Sequence, residues 1–122
     1  MTYIFIGIGG ALGACLRWLI MTKCEVWFGK GMPFGTLVVN VSGSFLLGVL
    51  FALIEQGTLA ESPYKSLFSI GLLGAFTTFS TFSLDTLLLL QQGDWFKAFA
   101  NILLNVFLCI LAAGLAVHLF KG

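Results

Sequence analysis

The run GLLGAFTTFSTFS, residues 71–83, decides how this chain is organised. It lies within a long apolar segment, yet five of its last seven residues carry hydroxyl groups. Glycine and β-branched threonine are poor helix formers. Irregular backbone at membrane depth is tolerated only where protein buries it or where it lines a watery cavity. The run therefore predicts a break near the middle of a membrane helix, facing a partner, an ion or a pore.

The composition around this run is that of a membrane protein. The chain has 122 residues, 59% hydrophobic and 9% charged, with a mean hydropathy of +1.06. A soluble domain of this size has about a quarter of its residues charged. At about 20 apolar residues per crossing, four spans fit and no extramembrane domain is expected. We predict a single all-α domain over residues 1–122, and the net charge of +1 indicates no nucleic-acid partner.

Hydropathy and turn residues place the predicted spans and loops. The spans run, approximately, from Tyr3 to Thr22, Phe34 to Ile54, Tyr64 to Leu90 and Trp95 to Phe120. The loops cover Lys23 to Met32, Glu55 to Ser62 with Pro63 closing it, and residues 91–94. Pro33 suits the start of the second span, because its missing N–H costs nothing in a first helical turn. Gly9 and Gly13 form a GxxxG pair, which predicts the close approach of another helix.

The positive charges give only a weak orientation signal. An even number of spans puts both termini on one side of the membrane. Two lysines lie near that side, and three lysines and an arginine near the other: Lys65 and Lys121 against Lys23, Lys30, Lys97 and Arg17. Because the positive-inside rule needs a clear bias, the chain is predicted to insert in both orientations. Four short helices are few for enclosing a conduction path, which favours an antiparallel, dual-topology homodimer in the lipid bilayer.

Polar side chains inside the spans are the candidates for function. Asn40 lies deep in span two, where a buried amide is costly without partners. It is either interhelical glue or an amide donor aimed at an anion. Phe79 and Phe82 share one helix face beside a stripe of Ser80 and Ser83. The edge of a phenyl ring is electropositive, so these rings either pack or face a small anion.

Span four and the single arginine leave similar alternatives open. Asn101, Asn105 and Cys109 follow at i+4 spacing and form one polar-to-small stripe. The stripe either lines the same path or packs against span three. Arg17 either snorkels to the interface or attracts anions at a vestibule. Backbone carbonyls freed at a break after the Gly71–Gly74 step are able to hold a small cation.

Several function classes are disfavoured. No predicted span holds paired carboxylates, a Ser/His/Asp set or a His cluster, so no catalytic residues and no enzyme are expected. Cys15, Cys24 and Cys109 are interpreted as packing residues and His118 as interfacial. A small four-span multidrug exporter needs a carboxylate in its first span, where the charged residue is Arg17. That exporter and a non-conducting membrane scaffold are the alternatives to an anion path.

Over nearly its whole length the chain resembles the CrcB-type fluoride channels, called Fluc. The matching stretches are GALGACLR (10–17), FGTLVVNVSGSF (34–45) and GAFTTFSTFS (74–83), of which the last is highly specific. The identity of the ion comes from this resemblance and not from residue spacing. The resemblance implies a multi-pass protein of the cell (inner) membrane. Working as an antiparallel homodimer, it would export fluoride passively and relieve fluoride toxicity.

The resemblance also implies roles for individual residues. The implied fluoride pathway is lined by Asn40, Phe79 and Phe82, with a hydroxyl track of Ser80, Thr81 and Ser83. A structural sodium ion on the two-fold axis is implied at backbone carbonyls that map to Gly74 and Thr77. Family members often have Tyr and Ser where this chain has Asn101, Asn105 and Cys109. Asparagine still donates hydrogen bonds, so Asn105 is kept as a pathway residue and Arg17 as the vestibule residue.

Overall fold

The computed structural model of the protein describes residues 2–56 and 65–120 as an all-helical chain. Its helices are α1 Thr2–Phe28, α2 Phe34–Glu55, α3 (π-helical Ser66–Leu73 continued by α-helical Gly74–Phe76), α4 Phe79–Gln91 and α5 Trp95–Phe120. Within the described residues, four segments are long and apolar enough to cross a membrane, the third made by α3 and α4 together. The prediction of an all-α protein with four spans is confirmed. Of the second predicted loop, Glu55 belongs to α2 and residues 57–63 lie outside the described residues, as do the predicted start of span three at Tyr64 and Lys121.

The end of α1 corrects one predicted boundary. A loop was predicted from Lys23 to Met32, but α1 continues to Phe28. The helix ends where Gly29 has φ +79° and its N–H donates to the carbonyl oxygen of Glu25 over 2.9 Å. Helices commonly terminate on such a left-handed glycine. The stop signal is therefore the glycine, and the charges that begin at Lys23 belong to the helix.

Helix α1 packs against α3 through glycines. A Cβ added at Gly9 or Gly13 would overlap backbone atoms of α3, in the second case the carbonyl oxygen of Leu72. On the α3 side, a Cβ at Gly71 would lie 2.6 Å from the carbonyl oxygen of Ile6. Small residues allow two membrane helices to approach to backbone contact. The predicted close approach at the GxxxG pair is confirmed, and the neighbouring helix is α3.

Helix α2 packs mainly against α5 and also contacts α1. At Gly48, an added Cβ would lie 2.7 Å from the carbonyl oxygen of Ala113 on α5. At Gly35, it would lie 2.8 Å from the Cα atom of Met21 on α1. These contacts turn another face of α2 toward the end of α3, where Gly43 lies against Thr77.

The backbone is extended between α3 and α4. Thr77 has φ −85° and ψ 157°, and Thr78 has φ −151° and ψ 120°. In a continuous α-helix the N–H of Thr78 would donate to Gly74. It donates instead to the side-chain oxygen of Asn40 over 2.8 Å. The hydroxyl of Thr78 accepts the N–H of Thr81 over 3.2 Å and so caps the start of α4.

Candidate functional site

An open cavity of about 300 Å³ lies beside this extended segment. It brings together six of the predicted site residues: Asn40, Gly74, Thr77, Phe79, Phe82 and Asn105. Cys109 from the polar stripe of span four also lines it. Four predicted site residues are not among its described lining residues: Arg17, Ser80, Thr81 and Ser83. The cavity is therefore formed where α2, α3, α4 and α5 meet, at the level of the extended segment.

Asn40 holds the extended segment in place with both ends of its amide. Its Oδ1 accepts the N–H of Thr78, and its Nδ2 donates to the carbonyl oxygen of Thr78 over 3.0 Å. The same Nδ2 donates to Oδ1 of Asn105 over 3.0 Å. A buried backbone group without a partner costs free energy comparable to a lost hydrogen bond. The side chain thus supplies partners that the interrupted helix does not.

The two phenylalanines stand at the start of α4. Their ring centroids are 5.4 Å apart and their planes are inclined by 55°. Phe82 is buried, whereas Phe79 is 77% exposed in the single chain. The amino end of a helix carries a positive partial charge. The rings therefore flank the electropositive end of α4, one inside the protein and one at its surface.

The predicted hydroxyl track follows the same helix. The hydroxyl of Thr78 donates to that of Thr81 over 3.1 Å and lies 3.4 Å from that of Ser80. Ser83 donates to the carbonyl oxygen of Phe79 over 3.0 Å. Serine and threonine in membrane helices often bond back to the preceding turn in this way. Ser83 thus makes the bond expected of an ordinary helix hydroxyl, while the other three hydroxyls form a cluster.

Arg17 reaches the same segment from α1. Its Nε donates to the carbonyl oxygen of Ala75 over 3.0 Å. It also lines a second cavity, of about 350 Å³, together with Thr36 and Asp85. The hydroxyl of Thr36 donates to Oδ2 of Asp85 over 2.8 Å. Sequence reasoning gave these last two no role, although a carboxylate inside a span is a signal of function in itself.

Of the two asparagines of α5, Asn105 lines the cavity and Asn101 packs behind it. Asn105 is 5% exposed, and its Nδ2 donates to the backbone oxygen and Oδ1 of Asn101 over 2.9 and 3.0 Å. Asn101 is fully buried, and its Nδ2 donates to Oγ1 of Thr86 on α4 over 3.0 Å. The sequence left open whether this stripe lines a path or packs against span three. Asn105 lines the cavity, whereas Asn101 packs against α4. Thr86 had no sequence signal beyond its i+4 spacing from Phe82.

Backbone carbonyl oxygens are the candidate cation ligands at the extended segment. Among residues 2–56 and 65–120, no group of three or more His, Cys, Asp or Glu side chains is arranged to hold a metal ion. Carbonyl oxygens suit hard cations such as sodium. The extended segment is the part of the third crossing where such oxygens leave their helical partners.

These features define a small polytopic membrane protein with an extended segment inside its third crossing and, beside that segment, a cavity lined by polar and apolar side chains. The family described as CrcB-like protein, Camphor Resistance (CrcB), matches residues 4–117, and the chain belongs to this family. A relative from Alteromonas mediterranea, named fluoride-specific ion channel FluC, is 58% identical over 120 residues, covering 98% of this chain and 94% of the relative. Relatives of the same name from Vibrio cholerae and Pseudoalteromonas translucida are each 54% identical over 114 residues. Those matches cover 93% of this chain and 90% and 95% of the two relatives. The resemblance predicted from the sequence is confirmed, and these relatives are named as channels and not as enzymes.

Proposed function

We propose that the protein is a fluoride-selective channel that exports fluoride passively across the cell's inner membrane. The observation that carries this proposal is the cavity at the extended segment. There the amide of Asn40, the rings of Phe79 and Phe82 and the start of α4 meet in a chain of the CrcB family. The name shared by the similar relatives supports fluoride as the ion.

The chemistry of the cavity suits a small, strongly hydrated anion. An amide N–H₂ group is a donor, the amino end of α4 is electropositive, and the edge of each phenyl ring is electropositive. None of these groups carries a full positive charge. A conducting site must bind an ion well enough to admit it and weakly enough to release it. Fluoride is smaller than chloride and a stronger acceptor, so close donors favour it.

A passive channel suffices for export. Hydrogen fluoride is neutral, crosses membranes and dissociates inside the cell at neutral pH, so fluoride is trapped as the ion. A negative-inside potential expels an anion with about 2.3 kcal/mol per charge per 100 mV. The channel relieves fluoride toxicity without coupling to another energy source.

A second, oppositely inserted copy completes the pathway. Phe79 lies at the open side of the cavity and is 77% exposed in the single chain. Polar groups that open toward hydrocarbon lack hydrogen-bond partners, so this side needs a protein cover. The weak charge bias of the loops permits both orientations. A two-fold axis in the membrane plane would give both copies the same interface.

Arg17 and the hydroxyl track of Ser80, Thr81 and Ser83 extend the proposed pathway beyond the rings. Arg17 lines the second cavity, near the α1–α2 connection, and is the proposed anion-attracting charge of a vestibule that Glu25 and Asp85 also line. Its bond to the Ala75 carbonyl also ties this vestibule to the extended segment. Ser80, Thr81 and Ser83 supply the hydroxyl track along α4. A fluoride ion on the track would replace bonds that these hydroxyls make with protein atoms.

A structural sodium ion fits the carbonyl oxygens of Gly74 and Thr77. In a continuous helix these oxygens would accept the N–H groups of Thr78 and Thr81. Those N–H groups donate instead to Asn40 and to the Thr78 hydroxyl. Carbonyls at unwound segments are sodium ligands in transporters. A cation there would also offset the negative partial charge at the end of α3. We propose that this ion lies between the two copies, as the family resemblance implies.

The decisive experiment measures ion efflux from liposomes that contain the purified protein. Liposomes are loaded with equal fluoride and chloride, a potassium ionophore is added, and each anion is read with a selective electrode. Fast fluoride loss with chloride retained is the expected result. Folded dimers that release no fluoride would contradict the proposal and favour a membrane scaffold. Transport of cationic drugs against a proton gradient would favour the small multidrug exporter.

Two variants of α2 make this experiment specific. Asn40→Asp keeps the oxygen that accepts from Thr78 but replaces the donor with a negative charge, so fluoride efflux should be lost while the dimer remains. Ser42→Ala is the matched control, because Ser42 donates to the carbonyl oxygen of Val38 in its own helix and lies outside the cavity lining. Equal efflux from both variants would remove Asn40 from the pathway.

A further inference from the structure

We propose that Asn101 and Thr86, which lie behind the cavity, are positioning residues that fix the orientation of the pathway amide of Asn40. They form the rear part of a hydrogen-bond relay that runs through three helices. The inference rests on the proposed function, because it concerns how the fluoride site keeps its shape. Neither residue is among the described lining residues of the cavity. Both are buried, so bulk water does not reach them.

The relay begins and ends on the same stretch of chain. Its members, in order of donation, are Thr78, Asn40, Asn105, Asn101, Thr86 and Phe82. The first bond is the backbone N–H of Thr78 donating to Asn40 over 2.8 Å. The last is the hydroxyl of Thr86 donating to the carbonyl oxygen of Phe82 over 2.8 Å. The relay therefore links the extended segment, through α2 and α5, to the first turns of α4.

Every bond of the relay points the same way, and the two ends dictate that direction. A backbone N–H only donates, and a backbone carbonyl only accepts. Each amide oxygen therefore accepts from the preceding member of the relay, and each amide nitrogen donates to the next one, with Nδ2 of Asn40 donating to the carbonyl oxygen of Thr78 as well. All three asparagines of the chain belong to the relay. One reversed amide would set two donors against each other, in a region where buried polar groups need protein partners.

Thr86 fixes the direction of the hydrogen bonds at the Asn101 end of the relay. Its hydroxyl hydrogen is used by Phe82, so its oxygen faces Asn101 as an acceptor. Without that oxygen, Nδ2 of Asn101 loses its acceptor, and a buried unpaired donor is costly. Rotation of Asn101 then turns its Oδ1 away from Asn105. Asn105 keeps its second bond, to the backbone oxygen of Asn101. We therefore expect the side-chain amides of Asn105 and Asn40 to reorient, while the site itself is retained.

The first test compares Thr86→Val with Thr86→Ser in the liposome assay. Valine has the shape of threonine without the hydroxyl, whereas serine keeps it. Thr86→Val should slow fluoride efflux on the order of tenfold and lower the ratio of fluoride to chloride permeability, because a buried donor is left unpaired. Thr86→Ser should restore both. A merely structural role would reduce the yield of folded dimer without changing the ratio per folded protein. Wild-type rate and ratio in Thr86→Val would overturn the inference.

The second test does not depend on conduction. Protein carrying isotope-labelled asparagine gives three pairs of side-chain amide signals in a nuclear magnetic resonance spectrum, because the chain has three asparagines and each amide carries two hydrogens. Single replacements of Asn40 and Asn105 assign them. Thr86→Val should shift the Asn40 signal as well as that of Asn101, and Thr86→Ser should leave both in place. A shift confined to Asn101 would overturn the relay. Coupled signals in a wild-type protein that conducts no fluoride would refute the proposed function alone.

Discussion

Gly43 on α2 lies directly against the side chains of Thr77 and Phe76. A Cβ added there would overlap Cγ2 of Thr77 and lie 3.2 Å from Cδ2 of Phe76. Thr77 carries one of the carbonyl oxygens proposed to hold sodium. We therefore expect Gly43→Ala to displace the extended segment, destabilise the folded protein and slow fluoride efflux.

The size of the effect follows from the contact. A methyl group forced into a packed site costs about 1–3 kcal/mol. Thr77 has little freedom to turn away, because a β-branched side chain is stiff at χ1. In addition, its Oγ1 donates to the carbonyl oxygen of Leu73 over 3.1 Å. Giving up that bond would itself cost about 1 kcal/mol. We expect Gly43→Ala to lower the free energy of unfolding by about 2 kcal/mol. Gly114→Ala is the control, because no atom lies within 4 Å of its added Cβ.

A second substitution tests whether the clash with Thr77 is the cause. Thr77→Ser removes Cγ2 but keeps the hydroxyl and the backbone carbonyl. The double variant Gly43→Ala/Thr77→Ser should recover most of the thermal stability of the folded protein, read by size-exclusion chromatography after heating. It should also recover fluoride efflux. Contacting residues couple in a double-mutant cycle. Additive losses in the double variant would refute the reasoning, because the clash would then lie elsewhere.

Two further predictions concern the helix packing and the cavity lining. Gly13→Ala should sharply lower the yield of folded protein, because its Cβ would overlap the carbonyl oxygen of Leu72, whereas Gly10→Ala, with nothing within 4 Å, should not. Equal yields in size-exclusion chromatography would contradict the packing of α1 on α3. A charged methanethiosulfonate reagent should slow fluoride efflux through wild-type protein but not through Cys109→Ala, since Cys109 lines the cavity. Equal inhibition of both would assign the effect to Cys15, which is exposed on α1.

Features that depend on a local residue pattern are predicted from the sequence. Contacts that depend on how the helices are rotated against one another are seen only in the structure. Four apolar segments, the GxxxG contact and the neighbouring pair Phe79 and Phe82 follow from hydropathy, residue size and helical spacing. The bond between Asn101 and Thr86 joins two helices and has no such pattern. The bond from Thr36 to Asp85 spans 49 positions and is equally invisible in the sequence. The end of α1 was also mispredicted, because the sequence offers two local stop signals there, the charged residues from Lys23 and the glycine at Gly29. The helix continues past the charged residues and ends at the glycine.

The extended segment places opposite helix ends next to each other, which bears on how Asn40 must be tested. The end of α3 carries a negative partial charge of about half an elementary charge and the start of α4 a positive one. An uninterrupted helix would offer neither end, so the extended segment brings an electronegative and an electropositive helix end together, beside the proposed cation and anion sites. Its cost is an unpaired N–H at Thr78, worth several kcal/mol in hydrocarbon. Asn40 accepts that N–H, so it contributes to stability as well as to the cavity.

A variant of residue 40 without the side-chain oxygen would lose both roles together. Asn40→Asp keeps the acceptor for Thr78 and removes the donor. If it also fails to fold, the amide donors of Asn40 are needed for the structure itself, and its role in conduction must be tested through Asn105.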